Sequence, residues 1–168
     1  MMAALDALKA EHAVTRFHLV GQSGGGHTVA ALLQMRQDIG CAVMTSGSMS
    51  HKSVVRDRGV AITARIRENY DPIDHVGAMQ NRPGQRIVVM SDPDDRIVSF
   101  RSQREFVERV RGAGLPILHI SAAAGDEDFH GLEAEGRRLA SDCAKGVDDQ
   151  TLISRYQTKP ESAARRRQ

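Results

Sequence analysis

The chain has no tryptophan, and aromatic residues make up only 4% of its 168 positions. An aromatic-lined nucleic-acid surface or a greasy lipid-binding groove therefore has little material to be built from. Cysteine is scarce as well. Cys41 and Cys143 stand far apart, without metal-ligand spacing, and read as two reduced, half-buried thiols of a cytoplasmic protein. No apolar run approaches a membrane span, and the opening stretch MMAALDALKAEHAV lacks the basic start and unbroken apolar core of a signal peptide. A strong charge of one sign is missing too: the formal net charge is +2, and much of it sits in Arg165, Arg166 and Arg167. Such a run suits a solvated tail better than a nucleic-acid contact. These absences point to a soluble chain with neither nucleic acid nor membrane as partner.

What is present is ordinary for one globular domain, with 40% hydrophobic and 26% charged residues, and 15 glycines to make turns. Met2 to His12 has helical spacing. RFHLVGQ (16–22) is a short apolar run ending in glycines, followed by the helix-forming TVAALLQMRQ. CAVMTS (41–46), RIVVMS (86–91) and LPILHIS (115–121) read as further buried strands. SQREFVERVRGAG (102–114) carries an apolar stripe of Phe106, Val107 and Val110, and LEAEGRRLASDCAKG reads as a last helix. Within 47–84, SVVRDRGVAITARIRENY contains a helix and DPIDHVG is a loop or short turn. Strand–helix alternation repeated about four times predicts an α/β fold, a mostly parallel sheet with helices on both faces. In such sheets function gathers in the loops at the carboxyl ends of the strands. Three such loops carry Ser23, the acidic group Asp92, Asp94 and Asp95, and His130.

Gly21-Gln22-Ser23-Gly24-Gly25 fits G-x-S-x-G between a strand and a helix. A serine on that turn sits in a strained backbone, and the glycines beside it are expected to avoid collisions with strand and helix. The N–H of Gly24 would face a developing oxyanion, and the helix N-terminus adds partial positive charge there. A phosphate-binding turn fits less well. Ser23 and Val29 occupy places where G-x-G-x-x-G needs glycine, no acidic residue ends CAVMTS, and no Gly-Lys-Ser/Thr follows. A serine hydroxyl needs a base, and the base an orienting carboxylate. Asp95 and His130 follow in the order Ser, Asp, His. Alone, a loop aspartate is a turn former and a loop histidine is solvated; behind these strands they are functional candidates. His119 lies inside a strand, and His27 one turn after Ser23 reads as packing or hydrogen bonding. Asp71 and His75 read as a surface pair. The histidines at 12, 18, 27, 51 and 75 show no zinc signature.

GQSGGG, SDPDDRIVSFRSQREFVERVRGAGLP and DFHGL resemble the α/β-hydrolase superfamily, and most of all its serine esterase and prolyl-oligopeptidase-like branches. The resemblance covers residues 1 to about 145. It implies a domain over 1–147 that is the C-terminal portion of that fold, with a lid or insert over 47–84. Beyond Val147 the charged and polar content rises and the periodicity fades, which reads as a polar, basic, weakly ordered tail over 148–168. The loop Asp95-Arg96-Ile97-Val98-Ser99 matches the family's acid loop, which makes Asp95 the triad acid, Asp94 the runner-up and Asp92 third. The resemblance implies Ser23, Asp95 and His130 as a catalytic triad, Gly24 as oxyanion donor, no metal or organic cofactor, and a small ester or peptide as substrate. Non-catalytic use of the same scaffold is the rival reading, and acyl transfer is a third. Family members have several strands before the nucleophile strand, and a loop after one of them gives a second oxyanion N–H. Nothing before Arg16 answers to these, so the expectation is a fragment, or a sheet completed by a second chain or a homo-oligomer. The basic residues Lys52, Arg56, Arg58, Arg65 and Arg67 in the insert would favour polar or anionic substrates if they face the site.

Overall fold

Four apolar runs become the four strands of one parallel sheet in the order β1-β2-β3-β4. The computed structural model describes residues 1–158. The strands are β1 (Phe17–Gln22), β2 (Ile39–Thr45), β3 (Arg86–Ser91) and β4 (Leu118–Ser121). Every residue of β2 is buried, as expected of an inner strand covered on both sides. β4 is shorter than its apolar run, because Pro116 has no N–H to give a ladder. β1 is an edge strand of the described sheet and leaves Val20 exposed.

Side chains alternate across the sheet and so define two cores. Ala42, Met44, Ile87 and Val89 meet Val29, Ala30 and Leu33 of α2 (Gly24–Met35) and Phe106, Val107 and Val110 of α5 (Phe100–Gly112). Cys41, Val43, Val88 and Met90 meet Leu139 and Cys143 of α6 (Glu133–Ala144) on the opposite face. The expected two-faced α/β architecture is thus observed. α1 (Met2–Glu11) buries no residue and is tied on by ion pairs from Asp6 to Arg36 and from Lys9 to Asp38.

Between β2 and β3 the sequence gives less regular structure than between the other strands. α3 (His51–Asp57) and α4 (Ala64–Glu68) are two short helices where one was expected, separated at Gly59, whose φ of 68° suits glycine. DPIDHVG, expected as a loop or short turn, is a 3-10 helix over Pro72–Ala78 that buries Ile73 and Val76.

Two expectations need correction. Residues 149–156 are not a weakly ordered tail: Asp149–Tyr156 form α7, with Leu152 fully buried. The carboxylate of Asp148 caps this helix, accepting from the N–H and hydroxyl of Thr151 at 2.9 and 2.7 Å. Residues 159–168 of the expected tail, with its arginine run, lie outside the described residues. Nor are the cysteines separate reduced thiols. Cys41 on β2 and Cys143 on α6 are joined as a disulfide, with Cα atoms 6.2 Å apart across 102 residues of sequence. The helix lies flat on the strand and sets two small, distant side chains face to face.

α6 follows β4 yet packs on β1 and β2, so the chain crosses back over the sheet before the helix starts. A close fit fixes where it lands. A Cβ at Gly136 would lie 2.6 Å from Thr45 Cγ2 and 3.4 Å from Val20 Cγ2.

Candidate active site

Ser23 stands between β1 and α2 with φ 53° and ψ −117°, a conformation few L-residues adopt and one that costs about 1–3 kcal/mol. Neighbouring backbone holds it there. The Ser23 N–H donates to the Thr45 carbonyl, and its own carbonyl accepts from Gly26 and Ser48, each at 3.0 Å. The Ser23 hydroxyl does not cap α2, and the Gly24 N–H has no acceptor among the described residues. Steric demand is not spread over the glycines as expected. A Cβ at Gly21 would lie 2.2 Å from the Gly25 carbonyl oxygen, and one at Gly26 2.7 Å from Gly47 Cα, whereas Gly24 and Gly25 face open space.

The loops after β3 and β4 bring a carboxylate and an imidazole together. His130 Nδ1 lies 3.1 and 3.0 Å from the two oxygens of Asp95, whose side chain is fully buried. Asp95 Oδ1 also accepts from the N–H groups of Ile97 and Val98 at 2.9 and 2.8 Å, and Oδ2 from Gln103 Nε2 at 3.3 Å. These donors fix the orientation of the carboxylate and leave its remaining lone pairs turned to the ring. Asp92 has a different task, its oxygens accepting from the N–H groups of Asp94 and Ala124.

Three residues that sequence reasoning passed over hold this pair in place. Gln103 donates to Asp95 and to the Val98 carbonyl, while its Oε1 accepts from Ser91. Its signal was legible, since it shares the stripe of Phe106, Val107 and Val110 on α5 and is fully buried there. Asp126 accepts the N–H groups of His130 and Gly131, each at 2.8 Å. Those donors hold its carboxyl below the usual carboxylate range. Gln22, the residue before Ser23, accepts from the Thr45 hydroxyl and donates to the His130 carbonyl, tying the histidine loop to the turn that carries Ser23. No hydrogen bond joins the Ser23 hydroxyl to His130 among the described residues. Arg96 clasps the two loops, donating its N–H to the Asp128 carbonyl and lying over the Phe129 ring at 5.0 Å.

The other histidines fall elsewhere. His119 is in β4, stacked on Phe100, with Nε2 3.1 Å from Ser91 Oγ. Burial, aided by the charges of Arg111 and Arg104, pushes its pKa down to about 4. The sign follows from linkage: unfolded His119 binds a proton near pH 6.5 and the folded form resists it, so its stabilisation is complete above that pH and is lost toward pH 4. We expect wild type to lose about 2 kcal/mol more than His119→Gln between pH 7 and 4.5, read from urea midpoints. Equal losses would mean that the ring is solvated. Asp71 and His75 are not a surface pair. Asp71 is 1% exposed and accepts the Lys52 N–H at 2.9 Å, and His75 stacks on Tyr70 at 4.7 Å. His27 meets the Tyr70 ring edge-on at 6.3 Å. Among the described residues no cluster of three or more His, Cys, Asp or Glu could hold a metal ion, and no helix is long and apolar enough to cross a membrane.

No protein-family model and no curated protein matches the chain in sequence. Solved structures match it in shape. The chain is similar to a puromycin-hydrolyzing peptidase of Mycobacterium tuberculosis, with TM-score 0.65 and 17% identity, over 85% of this chain and 23% of that one. It is similar to an esterase of Pyrococcus furiosus, with TM-score 0.59 and 14% identity, over 92% of this chain and 60% of the esterase. An acylaminoacyl peptidase of Pyrococcus horikoshii gives TM-score 0.56 and 13% identity, over 90% of this chain and 25% of that chain. The chain thus spans less than two thirds of each of these three proteins. At such identities the likeness concerns the backbone: this chain carries part of the α/β-hydrolase fold.

Proposed function

We propose that the chain is the part of a serine hydrolase that cleaves a small ester or peptide through an acyl-enzyme on Ser23. The observation that carries this reading is the Asp95–His130 pair, tethered by Gln22, the residue beside a strained serine. Nδ1 faces the carboxylate and so carries the proton, which leaves Nε2 as the base. As Ser23 Oγ bonds to the substrate carbonyl carbon, its proton passes to Nε2, and Asp95 stabilises the imidazolium. The Gly24 N–H donates to the oxyanion. Collapse of the tetrahedral species breaks the bond to the leaving group, which takes the proton from Nε2. Water repeats the sequence on the acyl-enzyme, giving its proton to Nε2 and releasing the acid, while Ser23 recovers its proton.

A fluorophosphonate probe on the purified, folded chain tests the proposal. Covalent labelling is expected in wild type and should vanish in Ser23→Ala. A folded wild type that takes up no label would favour the rival reading of a non-catalytic module. That rival is favoured by the absence of a hydrogen bond between Ser23 and His130 among the described residues.

A further inference from the structure

A cavity of about 490 Å³ opens next to Gly24, within the size range of small-molecule sites. One wall is the start of α2, with Gly24 and His27. The other comes from the segment between β2 and β3 and includes His51, Asn69, Tyr70 and Asp71. Among the described residues no lysine or arginine lines it. The basic side chains expected to favour anionic substrates are largely engaged elsewhere. Lys52 pairs with Asp74, Arg56 with Asp57 and Glu105, and Arg58 donates to the Ile97 carbonyl.

Part of the polar lining is left unused by the fold, although the Tyr70 hydroxyl donates to Gln34. The His27 and His51 imidazoles make no hydrogen bond among the described residues. Asp71 Oδ2 accepts from the Lys52 N–H at 2.9 Å and from the Ser50 hydroxyl at 3.4 Å, but Oδ1 has no donor although the residue is 1% exposed. A buried carboxylate oxygen without a partner is costly, and natural proteins keep few of them. Two unused ring nitrogens that can accept a hydrogen bond and one unpaired anionic oxygen make a lining that calls for a donor, best of all a charged one.

We propose that this cavity receives a substrate side chain ending in a hydrogen-bond-donating cation, an ammonium or guanidinium, with Asp71 as its counter-charge. The proposal rests on the reading of Ser23 as nucleophile, and makes the chain a hydrolase of basic acyl groups. A neutral chain of equal length fills the same space but leaves Asp71 Oδ1 unpaired, which is the strongest form of discrimination open to a polar pocket.

The test compares the 4-nitrophenyl esters of an Nα-acylated lysine and the matching norleucine. Wild type is expected to prefer lysine by about 30-fold in kcat/KM, and Asp71→Asn to reduce the ratio to about 1. Near-equal rates on the two esters in a chain that fluorophosphonate labels would overturn the pocket and leave the nucleophile standing. Should the folded chain take no label, the nucleophile reading fails, and the pocket is judged by titration calorimetry with Nα-acetyl-lysine amide against Nα-acetyl-norleucine amide. Binding of the lysine amide alone, lost in Asp71→Asn, sustains it; equal binding or none overturns it. If Asp71→Asn does not fold, His27→Phe, which fills the cavity from the α2 side, must abolish lysine selectivity; retained selectivity overturns the proposal.

Discussion

Asp95→Asn is expected to lower kcat on an activated ester by about 10⁴ while changing KM little. The side chain keeps its shape, and its remaining oxygen can still accept from Ile97 and Val98. Its new amide group, however, must face Gln103 Nε2 and His130 Nδ1, the donors that Asp95 Oδ2 receives. Gln103 cannot turn round to help, because its Oε1 accepts from Ser91 and its Nε2 donates to Val98. The imidazole can resolve the conflict by moving its proton to Nε2. That tautomer offers Ser23 a donor in place of a base. Steady-state kinetics on the nitrophenyl ester would show the loss directly, and a kcat within tenfold of wild type would remove Asp95 from the proposed triad.

Gly21→Ala should damage the fold itself, at about 3 kcal/mol or more. The added carbon would lie 2.2 Å from the Gly25 oxygen, 2.4 Å from the Gly25 carbonyl carbon and 2.8 Å from the Gly26 nitrogen. All three are backbone atoms of the first turn of α2, so no side chain can swing aside. The helix would have to lift off β1, carrying Ser23 out of its turn and pressing against Gly47. For a chain of this size the loss corresponds to a drop in Tm of about 6–12 °C. Gly25→Ala is the control: nothing stands within 4 Å of its Cβ, and helix propensity should hold stability level or raise it slightly. Equal melting temperatures for the two variants would show that the turn around Ser23 accommodates a side chain at position 21.

The elements that position the site were legible because each declares itself over a short stretch. A strand, a glycine turn and a helix follow one another around Ser23, and RIVVMS and LPILHIS are apolar enough to be strands wherever they occur. Which carboxylate faces the histidine could not be read in the same way. Asp92, Asp94 and Asp95 share one turn, and only the position of a ring 35 residues further on distinguishes Asp95. Gln22 hid for the same reason, since its partner is a carbonyl 108 residues away. The disulfide depends on how α6 lies across β2. α7 went unseen because eight mostly polar residues give little periodicity, although Asp148 and Thr151 mark a helix start. The basic residues between β2 and β3 were a poor guide to the site, because charge counts do not reveal that Lys52 and Arg56 are paired with nearby acids.

The bare backbone at Gly136 reaches further than its own helix. Thr45, which a methyl group there would strike, holds Gln22, and Gln22 holds the carbonyl of His130. Crowding at a position with no chemistry would therefore travel along two side chains and tilt the imidazole, disturbing the proposed triad by displacement although none of its side chains had been replaced.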